Sequence, residues 1–259
     1  MLKKYIKISV LVTLATALIS CSGTDPIGDP RPEPFEETNT LTLKFKSHFN
    51  GDAVDFNMNQ FVTSSKDTIT PSKFKFLMSD IRMVKMDDAE TALEGKYGYV
   101  SFEESKTEVV LPAVQAGSFK AIRFNVGLDS STNHGDPAVW AVNHPLNVVN
   151  NGLHWGWQGG YIFMAHEGSY LDNGANESYT FHIATLPFAN TIEIPFSYIH
   201  SDGDDDVIEI SVDLSKYFDG VHAFSLKNNI SASHSAAVHA PYINKLRENI
   251  KLMFSAKKL

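Results

Sequence analysis

Residues Thr191–Leu214 read TIEIPFSYIHSDGDDDVIEISVDL. Ile192, Ile194, Phe196 and Tyr198 fall on one side of an extended chain, and so do Ile208, Ile210, Val212 and Leu214. Successive side chains of a strand point to opposite faces, so this alternation marks two strands that each bury one face. Between them, Asp202–Asp206 (DGDDD) lacks the alternating ligands and closing Glu of a calcium loop. It reads as a hairpin turn.

The same alternation recurs on either side. Leu41, Leu43 and Phe45 open the pattern, and Phe74, Phe76 and Met78 repeat it before the phase slips to Ile81 and Met83. A one-residue slip inside a strand predicts a bulge. Further strands are predicted at Tyr97–Phe102, Glu108–Leu111, Phe119–Leu128, Tyr161–Ala165 and Ser178–Leu186, with turns at Asn50-Gly51 and Asn173-Gly174. Many short strands of this kind predict a mainly β chain, an antiparallel β-sandwich. One helix is predicted over Pro241–Phe254, where Ile243, Leu246, Ile250 and Met253 recur at helical spacing behind a proline suited to a first turn. Lys216–Asp219 adds a short helical turn.

The N-terminus reads as an address. Lys3, Lys4 and Lys7 precede the apolar run Ile8–Ile19, which is too short to span a bilayer comfortably. The run ends in Leu18-Ile19-Ser20-Cys21, which resembles the lipobox of bacterial lipoproteins. That implies cleavage before Cys21, lipid on its thiol, and a place at the outer membrane or facing the periplasm. Residues 22–40, rich in Pro, Gly and acids, read as a disordered tether. The organisation is therefore a signal over 1–20, a tether over 21–40 and a β domain over 41–259.

Cys21 is the one cysteine. With its thiol lipidated, disulfides, zinc-thiolate sites, iron–sulfur clusters and covalent haem are excluded. A metal would fall to His, Met, carboxylates or backbone. The net charge of −8, more negative once the leader's lysines are gone, argues against nucleic acid as a partner. No hydrolase elbow, H-E-x-x-H or Walker loop is present, so no enzymatic activity is expected.

The stretch Ser130–Gly160 has little periodicity but holds all three tryptophans, and a loop this long is usually functional. Within Leu153–Gly168 (LHWGWQGGYIFMAHEG), Trp155 and Trp157 would share one side of an extended backbone, with His154 on the other. His182 lies on the less apolar face of its strand, with Thr180 and Ala184. Ten histidines make an imidazole site for copper, zinc, nickel or iron the chemistry to look for.

These segments, in order, resemble the MbnP-like family of exported copper-binding proteins. The match rests on Leu41–Phe45, Ser72–Arg82, Ile122–Asp129 with Asn133, and above all His154–Gly168. That last segment is similar to the family's W-x-W-x-x-G-Y-x-F-x-x-x-E-G through Trp155, Trp157, Gly160, Tyr161, Phe163, Glu167 and Gly168. Phe181-His182-Ile183 and Val212–Phe218 follow. This chain has His154 where the family often has Tyr. The resemblance implies a β-rich fold, one copper ion, and oxidation of a Trp to kynurenine by a partner di-haem cytochrome c peroxidase-like protein. On that basis Trp155 and Trp157 are the modification candidates, and His182 and His154 the first ligands. His48 and His166 are reserves, with Glu167 and Tyr161 behind the ligands. The alternative is an envelope module without metal that stacks glycans or protein partners on Trp140, Trp155, Trp157 and Tyr161.

Overall fold

The computed structural model describes residues 39–93, 95–156 and 159–259. The leader, Cys21, the tether to residue 38, and Trp157 lie outside the described residues. Among the described residues no helix is long and apolar enough to cross a membrane.

The strands are β1 (Leu41–Phe49), β2 (Asp52–Ala53), β3 (Phe61–Val62), β4 (Thr68–Lys85), β5 (Glu90–Ala92), β6 (Gly98–Ser101) and β7 (Glu108–Leu111). They continue with β8 (Gly117–Val126), β9 (Ile162–Asp172), β10 (Ala175–Ala184), β11 (Asn190–His200), β12 (Asp206–Asp213), β13 (Ala232–Ser233) and β14 (Phe254–Lys258). Helices α1 (Ser130–Asn133), α2 (Val148–Asn151) and α3 (Ser215–Phe218) are single turns, and α4 (Ala240–Ile250) is longer.

One sheet runs β14-β12-β1-β2, with β7 also on β1. The other runs β11-β8-β4-β9-β10-β13, and β3, β6 and β5 pair successive stretches of the long β4. The two form a mainly β, sandwich-like arrangement with α4 near the C-terminus. The sheets are mixed rather than purely antiparallel, because β1–β12 and β10–β13 are parallel pairs. Edge-on aromatic contacts cross the core: Phe76 meets Phe45 and Phe254 with ring centroids 5.7 and 5.8 Å apart. Ile243, Leu246 and Ile250 of α4 are buried in the same core.

The predicted bulge is present. The pairing of β4 with β8 shifts between Ser79 and Arg82, and Asp80 takes a left-handed φ of 49°. Asn50-Gly51 and Asn173-Gly174 form two-residue turns with positive φ throughout, as tight hairpins require.

The expected hairpin at Asp202–Asp206 is not one. β11 pairs with β8 in one sheet and β12 with β1 and β14 in the other, so the acidic run carries the chain between sheets. The alternation cannot distinguish strands that pair from strands that face each other across a core. The crossing is pinned by Asp206, whose carboxylate meets Tyr198 Oη at 2.7 Å, His200 Nδ1 at 2.9 Å and Lys258 Nζ at 2.7 Å. Asp205 Oδ1 accepts from Thr40 N. Asn39 and Thr40, the end of the expected tether, are thereby tied into the domain.

Phe74–Ser79 are six consecutive buried residues, so β4 is covered on both faces. Phe74, Phe76 and Met78 enter the core between the sheets. Leu77 belongs to a second cluster with Tyr99, Leu128, Leu146, Leu153, Tyr161 and Phe163. That second core lies under the aromatic loop.

Gly168 sits where a side chain has no room. A Cβ there would lie 2.4 Å from Thr70 O and 2.6 Å from the Tyr179 ring. Gly168→Ala should cost at least ~1–3 kcal/mol of overpacking. The measurement is the urea midpoint, and an unchanged midpoint would contradict the packing described.

Candidate metal centre

The aromatic loop is fastened by polar bonds from beneath. Tyr161 Oη donates to Leu146 O at 2.7 Å, and the buried Lys75 ammonium donates to Asn151 O at 2.9 Å. Lys106 Nζ donates to Asn150 O at 2.9 Å. Asn133, fully buried behind the cap that Asp129 makes for α1, accepts from Tyr161 N at 2.9 Å. Gly160, at φ +66°, is pressed against Asn133, and a Cβ would stand 2.6 Å from its side chain. The Gly160-Tyr161 pair and Asn133 are thus two halves of one joint, which fixes where the chain just before them can go.

That chain carries Trp155, 39% exposed, to the rim of the sheet at β10. Its ring centroid lies 6.2 Å from His182 and 6.2 Å from His234. The two histidines face each other, His182 Nδ1 to His234 Nδ1 at 3.0 Å. His182 Nε2 is 2.8 Å from Glu167 Oε1, and Glu167 Oε2 is 2.9 Å from Lys73 Nζ. Burial pushes the Glu167 carboxyl up, but hydrogen bonds from His182 and Lys73 outweigh it and hold it below the usual carboxylate range. Burial pushes His182 down against the pull of Glu167, which favours the neutral ring.

Ionised Glu167 can only accept, so His182 Nε2 carries the proton and Nδ1 presents its lone pair. His234 Nδ1 must then be the N–H donor of the contact between the rings. This is the carboxylate–imidazole arrangement that commonly backs a metal ligand. Two imidazole bonds of about 2 Å to one ion place their nitrogens roughly 3–4 Å apart, so the observed separation fits. Among the described residues no group of three or more His, Cys, Asp or Glu converges on a metal position. The pair therefore needs a further donor, and the Trp155 side chain is its nearest aromatic neighbour from the loop.

The other candidates lie elsewhere. His154 Nδ1 accepts from Gly156 N at 2.9 Å, and its ring packs edge-on against Tyr161 at 4.7 Å. It braces the loop. Tyr161 is fully buried, and burial pushes its phenol up to about 12. His48 belongs to the other sheet, where its Nδ1 accepts from Gly51 N beside Asp213. His166 is fully buried in the core, 3.2 Å from Tyr179 Oη and edge-on to Phe74 and Tyr217. Of the predicted set, the structure brings together His182, Glu167 and Trp155. It adds His234, which lies in SASHSAAVHA, a stretch without periodicity or motif to single it out.

The family model for MbnP matches residues 38–239, most of the chain and all of this site. The chain belongs to the MbnP family. MbnP from Methylosinus trichosporium is similar in structure, with a TM-score of 0.53 and 14% sequence identity over 85% of this chain and 99% of that one. At that identity the likeness speaks for the fold. No curated protein sequence matches the chain.

Burial holds His166 near 3, well below the ordinary 6.5. An unfolded chain takes up this proton below about pH 6.5, whereas the folded chain does not until about pH 3. Stability from this group is therefore full above pH 6.5 and lost as pH falls through that window. His166→Gln should show a shallower decline in urea midpoint between those limits, and equal slopes would rule His166 out as the cause.

Proposed function

We propose that the chain is a copper-binding lipoprotein of the cell envelope, not itself an enzyme, that holds one copper ion between His182 and His234 beside Trp155. The observation that carries this reading is the 3.0 Å approach of two imidazole nitrogens, one of them backed by the Glu167–Lys73 pair. Membership in a family known from methanobactin-related copper systems supports a copper-related role.

His182 contributes its Nδ1 lone pair, already aimed by Glu167. His234 would contribute its own Nδ1 once the proton it shares with His182 moves to its other ring nitrogen, a change of tautomer that leaves the ring neutral. Lys73 keeps Glu167 ionised. Trp155, partly exposed, is open to a redox partner. Its conversion to kynurenine by a di-haem peroxidase, as the family resemblance implies, would set an aniline nitrogen beside the imidazoles. Copper so held would supply one-electron chemistry, or be stored or handed on. Lipid on Cys21 would keep the site at the membrane.

Purified with and without such a peroxidase, the mature chain should bind one copper. His182→Ala and His234→Ala should each weaken binding at least tenfold, and His48→Ala, in the other sheet, should leave it near the parent. No stoichiometric copper, with Trp155 and Trp157 unmodified by intact mass, would sink the reading.

A second reading has its own observation. Trp140 stacks on His144 at 4.1 Å, and both rest on Tyr97. Tyr97 and His144 border a cleft of about 450 Å³ with Tyr99, Asn143 and Asn150. This supports an envelope module that stacks sugars on Tyr97 and His144, with Trp140 stacked against His144 and Tyr161 buried out of reach. Glycan binding that survives a chelator and His182→Ala but is lost in Tyr97→Ala would favour it. Absence of binding across a glycan array would dismiss it.

A further inference from the structure

β10 would be an open sheet edge but for the segment that brings in His234. Two bonded residues, Ala232 and Ser233, pair in parallel with Thr180 and Phe181, and Thr180 N donates to Ser231 O at 2.8 Å. The ladder then stops, because the chain turns at Ser235 with a left-handed φ of 61°. Past that point one hydroxyl replaces the ladder. Ser235 Oγ accepts from Ala184 N at 2.7 Å and donates to His182 O at 3.1 Å. Upstream the segment is held by Asp67, fully buried, which accepts from Leu226 N at 2.6 Å.

We propose that Ser235 is the positioning residue of the two-imidazole site: its hydroxyl, bonded to the backbone of His182 and carried next to His234, sets the separation of the two rings. The inference rests on the metal reading of His182 and His234. His234 is itself exposed, and its remaining contact with β10 is the single bond between the rings. Beyond the Phe181–Ser233 pair, the Ser235 hydroxyl continues the attachment of the segment to the β10 backbone. Glycine would take a left-handed backbone freely, and serine does so less readily. The hydroxyl is what a glycine could not supply.

The test uses the mature chain with Ser235→Ala and Ser235→Gly. Ile192→Val, on the opposite edge strand, is the stability control. Amide exchange at Ala184 should speed up in both Ser235 variants and not in the control. Copper affinity, read by chelator competition, should fall about 10- to 100-fold in both, as it does when a group behind a ligand is removed. Ser235→Gly should melt no lower than Ser235→Ala and still bind weakly, which separates positioning from loss of stability. Affinity within about twofold of the parent, or unchanged Ala184 exchange, overturns the proposal. A parent chain that binds no copper overturns the copper reading instead, and Ala184 exchange then decides the claim on Ser235.

Discussion

Burial of both faces of β4 is the constraint from which the rest follows. A strand with Phe74, Phe76 and Met78 on one side and Leu77 on the other cannot leave either side in water. The first side is met by the opposite sheet. The second has no sheet to meet, so the long segment after β8 folds over it. Leu146, Leu153 and Tyr161 supply the apolar underside of that cover, and lysines at 75 and 106 fasten its carbonyls. Trp155 is delivered to the rim because the cover has to end where β9 begins.

The second demand comes from backbone, not side chains. β10 has β9 on one side and needs partners on the other, since unpaired strand edges invite association. A two-residue bridge and a serine hydroxyl meet that need with little chain. The segment that does so bears His234. Two requirements of an ordinary β fold, covering a face and closing an edge, thus converge at one corner from opposite directions. Glu167 and His182 stand there on neighbouring strands.

Much of this was legible in the residues. Alternation marked the strands, the phase slip after Met78 marked the bulge, and the Trp-x-Trp segment pointed to the family. Pairing was less legible. Ile192–Tyr198 and Ile208–Leu214 look alike, yet the strands join different sheets, because the decision lies with distant partners in β8 and β1. β14 was hidden for a similar reason: Met253 continues the helical spacing of α4, and the break at Lys251 carries no proline or glycine. His234 was invisible. Its stretch has no period, and its meaning depends on which edge it lies against, a relation that spans 52 residues.

The contrast between His166 and His182 shows how little separates a core residue from a ligand. Both are histidines on adjacent antiparallel strands, and His166 is bonded in register with Phe181, one residue from His182. A strand turns each successive side chain to the other face, so His166 enters the apolar core while Glu167 faces outward, and Phe181 enters while His182 faces outward. Inward, an imidazole must stay neutral and can only pack and hydrogen-bond. Outward, the same ring finds a carboxylate to fix its proton and a second ring to face. Composition could count ten histidines and predict imidazole chemistry, but the parity of a residue along its strand decided which of them could take part.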